Sequence, residues 1–228
     1  EDYYQEQGRE WERYAMLKGR LIGSENRYWD EFYELLRPFV YRRYIDFSVI
    51  ESLRKMKQMI AQEVRRKRLT NNIKLGAGGI REVEFIVQAL QMVRGGREAN
   101  LQTQSLLVAL KELVNNQVMS NKEAELLTQN YLDLRQIEQY LQIFDDKQTQ
   151  TLPDDELNQQ RLCYLLNKED FNQCLISIEQ TMSQVHSEFE QVIGFESETA
   201  DPCESEYISA WEMTDVSLMC EPNLDWQP

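Results

Sequence analysis

NNIKLGAGGIREVEFIVQALQ, residues 71–91, joins three closely spaced glycines to an apolar run at helical spacing. Gly76, Gly78 and Gly79 stand immediately before Ile80. Glycine tolerates positive φ and close backbone approach, so such a cluster turns the chain tightly. A helix starting behind it aims N–H groups without intrahelical partners outward. The stretch therefore reads as a potential anion cradle.

Placing Ile80 to Arg94 on a helix at about 100° per residue puts Arg81, Glu84, Gln88 and Gln91 on one polar stripe. Phe85, Ile86, Val87, Ala89, Leu90, Met92 and Val93 fill a broad apolar arc, and Glu82 falls inside it. A carboxylate there must be desolvated, paired or hydrogen-bonded, because burying a lone charge is very unfavourable. Two readings stand side by side: Glu82 caps first-turn N–H groups or pairs with a nearby arginine, or it belongs to a site.

The 228 residues, 42% apolar, suffice for one large domain or two small ones with a real core. No twenty-residue apolar span is present to cross a membrane. The chain opens on Glu1 with no initiator methionine or charged-then-apolar leader, so a fragment of a longer polypeptide is expected. Cys163, Cys174, Cys203 and Cys220 lack metal-ligand spacing, and His186 is the one histidine, so neither a zinc nor a disulfide framework is legible. His186 reads as a structural or surface residue, and a reducing cytoplasm is the default compartment.

The net charge of −14 argues against general nucleic-acid binding, but it is unevenly spread. Tyr41 to Lys74 holds ten Lys and Arg against three acids, whereas Phe195 to Pro228 holds nine acids and no base. Helices are predicted over 3–22, 26–36, 48–68, 80–94, 103–115, 121–144 and 169–193. The second is expected to end before Pro38. Asn72 to Leu75 reads as a short extended piece, and Pro153 suits the first turn of a helix in DDELNQQRLCYLLN. Ser48-x-x-Glu51 and Ser120-x-x-Glu123 are capping boxes, and Leu127, Leu134, Ile137 and Leu141 mark a core helix. Beyond Gly194 periodicity stops. The expected architecture is all-α: an antiparallel helical bundle over 1–194 with a Gly-rich turn, then an acidic irregular tail over 195–228.

KLGAGGIREVEFIVQALQ, with GREWERYAMLKGRLIG, LRPFVYRRYIDFSVIESLRKMK and TQTLPDDELN, resembles the bifunctional glutamine synthetase adenylyltransferase/adenylyl-removing enzymes. The resemblance runs from about Tyr3 to Gly194, over the helical domain that follows the first of their two nucleotidyltransferase domains. A related helical domain follows the catalytic domain of the PII uridylyltransferases. Gly78-Gly79-Ile80-Arg81-Glu82 fits the first helical domain, and the acidic tail fits the linker between the halves.

What the resemblance implies is transfer of AMP from ATP to a tyrosine of glutamine synthetase, and its removal by phosphorolysis that yields ADP. The family's metal-binding carboxylates lie upstream, in a Gly-Ser…Asp-x-Asp motif. Gly23-Ser24 is followed by Asp30 with Phe32 two residues on, so that motif is absent here. No catalytic, metal or cofactor site is therefore expected in this chain alone, and Mg2+ with ATP or ADP is implied for the parent enzyme. Lys74, Gly78, Gly79, Arg81, Glu82 and Glu84 are the candidates for contacts to phosphate, nucleotide or a neighbouring domain. Arg81 is expected to project away from the packed face, and Arg9, Arg13, Arg42 and Arg43 are secondary candidates. The implied partners are the upstream nucleotidyltransferase domain, glutamine synthetase and, as a further candidate, PII protein, with no nucleic acid or membrane. The alternative is a non-catalytic module that binds glutamine synthetase or PII protein.

Overall fold

A computed structural model describes residues 8–20, 22, 27–42, 71–145 and 148–193, and between them 51–52, 54–55, 57–59, 62 and 66. Among these residues all regular structure is helical, apart from an isolated antiparallel bridge between Asn72 and Thr151. The elements are α1 (Glu10–Leu17), α2 (Arg27–Val40), α3 (Ile80–Arg94), a 3-10 turn (Ala99–Leu101), α4 (Leu106–Asn115), α5 (Asn121–Asp145), α6 (Glu156–Leu165) and α7 (Phe171–Ile193). The described residues between 51 and 66 are helical too, in the stretch expected to form the helix 48–68. The acidic tail, Arg43, Ser48 and most of the Arg65 to Arg68 cluster lie outside the described residues. No described helix is long and apolar enough to cross a membrane.

α3 is the axis of the fold. It packs on α4, α5 and α7, while α6 rests on α5 and α7, and α1 pairs with α2. Ile80, Val83, Ile86, Val87 and Met92 are buried, and so are Glu84, Gln88 and Gln91. The stripe read as solvent-facing is therefore inside, because neighbouring helices cover α3 from several sides. Gln91 is satisfied there: its amide donates to the carbonyls of Leu101 and Thr103, each at 2.8 Å. Phe85 lies between Tyr14, edge-on at 6.3 Å, and Phe189 at 6.5 Å. Side chains such as Ile86 and Phe189, buried completely, each contribute about 1.5–3 kcal/mol.

The helix ends follow local chemistry. Ser120 and Glu123 form the expected capping box at the start of α5: the Glu123 carboxylate accepts from the Ser120 N–H at 2.8 Å, and the Ser120 hydroxyl accepts from the Glu123 N–H at 3.2 Å. α4 and α6 both end in a left-handed residue, Gln117 at φ 57° and Asn167 at φ 52°. In each, the next amide returns to a carbonyl of the last turn, Val118 to Leu113 and Lys168 to Cys163.

Three boundaries differ from the sequence reading. α2 runs through Pro38 to Val40, and both Pro38 and Glu34 are exposed, so the missing donor falls on the wet side of the helix. Pro153 precedes α6 rather than opening it, because the Asp155 carboxylate accepts from the Asn158 N–H at 2.9 Å and sets the start. α1 stops at Leu17, well short of residue 22.

Candidate functional site

The turn at 71–79 is built by its own backbone. The Asn72 side-chain oxygen accepts from the amides of Lys74 at 3.0 Å and Leu75 at 2.8 Å, and the Asn72 carbonyl accepts from Gly76 at 2.9 Å. Ile73 donates to Gln150 at 2.9 Å, which ties the turn to the segment before α6. The piece expected to be extended is thus a single bridge at Asn72 followed by turns.

The first amides of α3 do not face outward. Ile80 donates to Ile73 at 3.0 Å, Arg81 to Lys74 at 3.1 Å and Glu82 to Gly79 at 3.0 Å. The turn folds back over the helix start and uses the N–H groups that an anion cradle would need, so the cradle reading is corrected here. Gly78 and Gly79 are buried, and their roles are steric. Gly78 has φ +74°, and a Cβ there would sit 1.7 Å from the Met182 carbonyl oxygen of α7. A Cβ on Gly79 would lie 2.6 Å from the Ile73 oxygen and 2.7 Å from that of Lys74. These glycines let the turn meet itself and α7 at backbone distance.

Glu82 resolves toward the first of its two readings, with different partners. Its carboxylate accepts from the Gly78 N–H at 2.9 Å, before the helix, and from His186 Nδ1 of α7 at 2.9 Å. His186 Nε2 is 3.9 Å from Glu190, which pairs with Lys57. The lone histidine thus pins the turn to α7 alongside the Gly78 contact. Lys57 also lies 4.6 Å over the Phe189 ring.

Charge gathers on the other side of α3. The Glu84 carboxylate accepts from Arg81 at 2.8 Å and from Lys18, at the end of α1, at 3.2 Å. Burial alone would raise its pKa, but Lys18 and Arg81 outweigh burial and hold the carboxyl below its ordinary value. Arg81 therefore folds along α3 onto Glu84, where a guanidinium projecting away from the packed face was expected. On α5, Glu138 is buried and accepts from Arg135 at 2.5 Å, with Lys74 at 3.9 Å. Tyr131 lies between the two groups. Burial raises its pKa first, then Glu84 and Glu138, with Arg135 and Arg81 opposing, and Arg135 sits 6.0 Å from its ring centre.

Lys74, Arg81 and Glu84 are thus brought together, while Glu82 is drawn to the α7 side with Gly78. Lys18, Tyr131, Arg135 and Glu138 complete the cluster and were not singled out from sequence. The Arg135 and Glu138 spacing of three residues was the one available signal. Among the secondary candidates, Arg13 is completely buried and donates to the Val40 carbonyl at 3.1 Å, so it ties α1 to the end of α2 and does not face a partner. The exposed Arg9 precedes α1, its N–H donating to Glu12 at 2.7 Å, Arg42 is half-buried beyond α2, and Arg43 lies outside the described residues. Among the described residues no three His, Cys, Asp or Glu side chains converge as metal ligands. Glu82 and Glu84 are already engaged by N–H groups and cations, so this cluster does not fit a magnesium ion.

Comparison with known proteins places the cluster in a family. Residues 54–193 match the family model described as GlnD PII-uridylyltransferase, and residues 1–34 match Glutamate-ammonia ligase adenylyltransferase. The chain is 58% identical over 194 residues to the bifunctional glutamine synthetase adenylyltransferase/adenylyl-removing enzyme of Shewanella frigidimarina, covering 85% of this chain and 20% of that protein. It is 55% identical over 198 residues to the protein of the same name from Idiomarina loihiensis, covering 87% and 21%. With that of Shewanella oneidensis it shares 51% over 229 residues, covering 99% and 24%. The chain therefore spans about a fifth to a quarter of the length of these relatives. With such identity along most of its length and a uridylyltransferase-type match from 54 to 193, the chain belongs to the bifunctional glutamine synthetase adenylyltransferase/adenylyl-removing enzyme family.

Proposed function

We propose that this helical domain supports the adjacent nucleotidyltransferase domain of an enzyme that adenylylates and, by phosphorolysis, deadenylylates glutamine synthetase. The observation that carries the reading is the cluster beside α3. Lys18 and Arg135 are 39% and 44% exposed, above nearly buried Glu84 and Glu138, with Lys74 and Arg81 between them. Cations fixed this way form a rigid, pre-oriented rim toward a phosphate-bearing or acidic surface. Recognition is assigned to these side chains and not to the amides of the turn. Gly78 and Gly79 set the platform, Glu84 orients Arg81, and Glu82 anchors the turn to α7. Mg2+ and ATP or ADP are assigned to the neighbouring domain, glutamine synthetase is the protein partner, and the compartment is the cytoplasm.

The test uses the full-length enzyme and reads ADP released from adenylylated glutamine synthetase with phosphate and magnesium. Arg81→Lys and Arg135→Lys keep the charge beside each glutamate but lose the planar fork. Adenylyl removal should fall roughly tenfold or more for the pair, the scale of one lost charge-assisted hydrogen bond of about 1.5–3 kcal/mol, with the melting temperature nearly unchanged. A lower melting temperature with normal activity per folded molecule would make the cluster purely structural. Intact chemistry with weakened binding of glutamine synthetase or PII protein would favour a binding module.

A further inference from the structure

α6 carries apolar side chains on two faces. Leu162 and Cys163 are buried on the side packed against α5 and α7. On the other, Leu157, Gln160, Arg161 and Tyr164 recur at i, i+3, i+4 and i+7, and with Leu165 and Phe144 of α5 they line an open groove of about 370 Å³. Tyr164 is 85% exposed and Leu157 58%. A helix apolar on both sides suits a position between two layers, and the second layer is missing from residues 1–228. Tyrosine, leucine and arginine around one concavity is the composition of a binding centre more than of a solvated face. Arg161 is fixed at the groove by the Asn158 side-chain oxygen at 3.0 Å and offers a planar donor to a carboxylate.

The matching relatives devote 76–80% of their length to other sequence, the remainder from the 24% and 20% aligned. A segment tethered on the same polypeptide meets this groove at an effective concentration on the order of millimolar, above that of a second copy in solution. We infer that the α6 groove is an intramolecular docking face, filled by an apolar segment of the same full-length polypeptide from outside residues 1–228, with an acidic residue opposite Arg161. The inference rests on family membership and not on the role proposed for the charged cluster, which the groove residues do not join.

The experiment replaces Tyr164 with the photo-crosslinking residue benzoylphenylalanine in the full-length enzyme. At 85% exposure the substitution leaves the core intact. After irradiation of the purified protein, peptide mapping should find the cross-link within one polypeptide, to a peptide outside residues 1–228. Adding Leu157→Asp should cut its yield at least tenfold while the circular dichroism is unchanged. A species of doubled mass, a cross-link to residues 194–228, no cross-link, or a yield indifferent to Leu157→Asp would each overturn the inference.

Discussion

At Glu84, burial and charge oppose each other, and charge wins. The folded carboxyl lies below its ordinary value of 4.5, so its stabilising contribution is complete above the unfolded pKa and is lost as pH falls through the folded one. Acid unfolding below about pH 4.5 should be shallower in Glu84→Gln than in the wild-type protein. The same substitution should cost about 3 kcal/mol at neutral pH by denaturant titration, because Lys18 and Arg81 lose their buried counter-charge. Helical periodicity placed Glu84 on a wet stripe because one helix's pattern carries no information about which other helices cover it. Lys18, 66 residues upstream, had no local signal at all. Cys163 and Cys174 show the same limit: far from any motif spacing, their sulfurs lie 3.5 Å apart between α6 and α7. Burial, then the Cys163 neighbour, pushes the Cys174 thiol up to about 12. Both should resist a disulfide reagent such as dithionitrobenzoate in the native state and react on denaturation, a difference visible as absorbance at fixed time.

At the scale of elements, the glycine-rich turn is a joint between α3 and α7. Gly78→Ala forces a side chain at φ +74° into the Met182 backbone and should cost at least about 3 kcal/mol by thermal or chemical melting. The sequence showed that a tight turn stands here, and the glycines justified that reading. Their orientation was not legible, since the same residues serve either an open cradle or a closed backbone contact, and only the position of α7 distinguishes them. Gln117 offers the opposite case. Its left-handed φ of 57° closes α4, so Gln117→Gly should raise stability by about 0.5–1 kcal/mol, read as a higher melting temperature. Pro38 shows why a local rule misplaced the end of α2: the rule weighs a lost donor, not whether water can replace it on an exposed face.

For the whole molecule, the stripes of α5 and α7 and the caps at Ser105, Ser120 and Asp155 made the helical class and most boundaries readable, because each is a short-range pattern. The charged cluster was half readable: Lys74, Arg81 and Glu84 belong to the conspicuous turn, whereas Lys18, Tyr131, Arg135 and Glu138 arrive from α1 and α5 through packing. The two halves share one frame. α7 fixes the turn through Gly78 and His186, the turn fixes the start of α3, and α3 presents Arg81 and Glu84 to α1 and α5. The central claim is that this turn is closed by packing and supports its neighbours through side chains. Amide hydrogen exchange at Ile80, Arg81 and Glu82, with and without inorganic phosphate, tests it most directly. The account predicts slow exchange that phosphate leaves unchanged, because these donors already bond to Ile73, Lys74 and Gly79. Fast exchange that phosphate slows would contradict it.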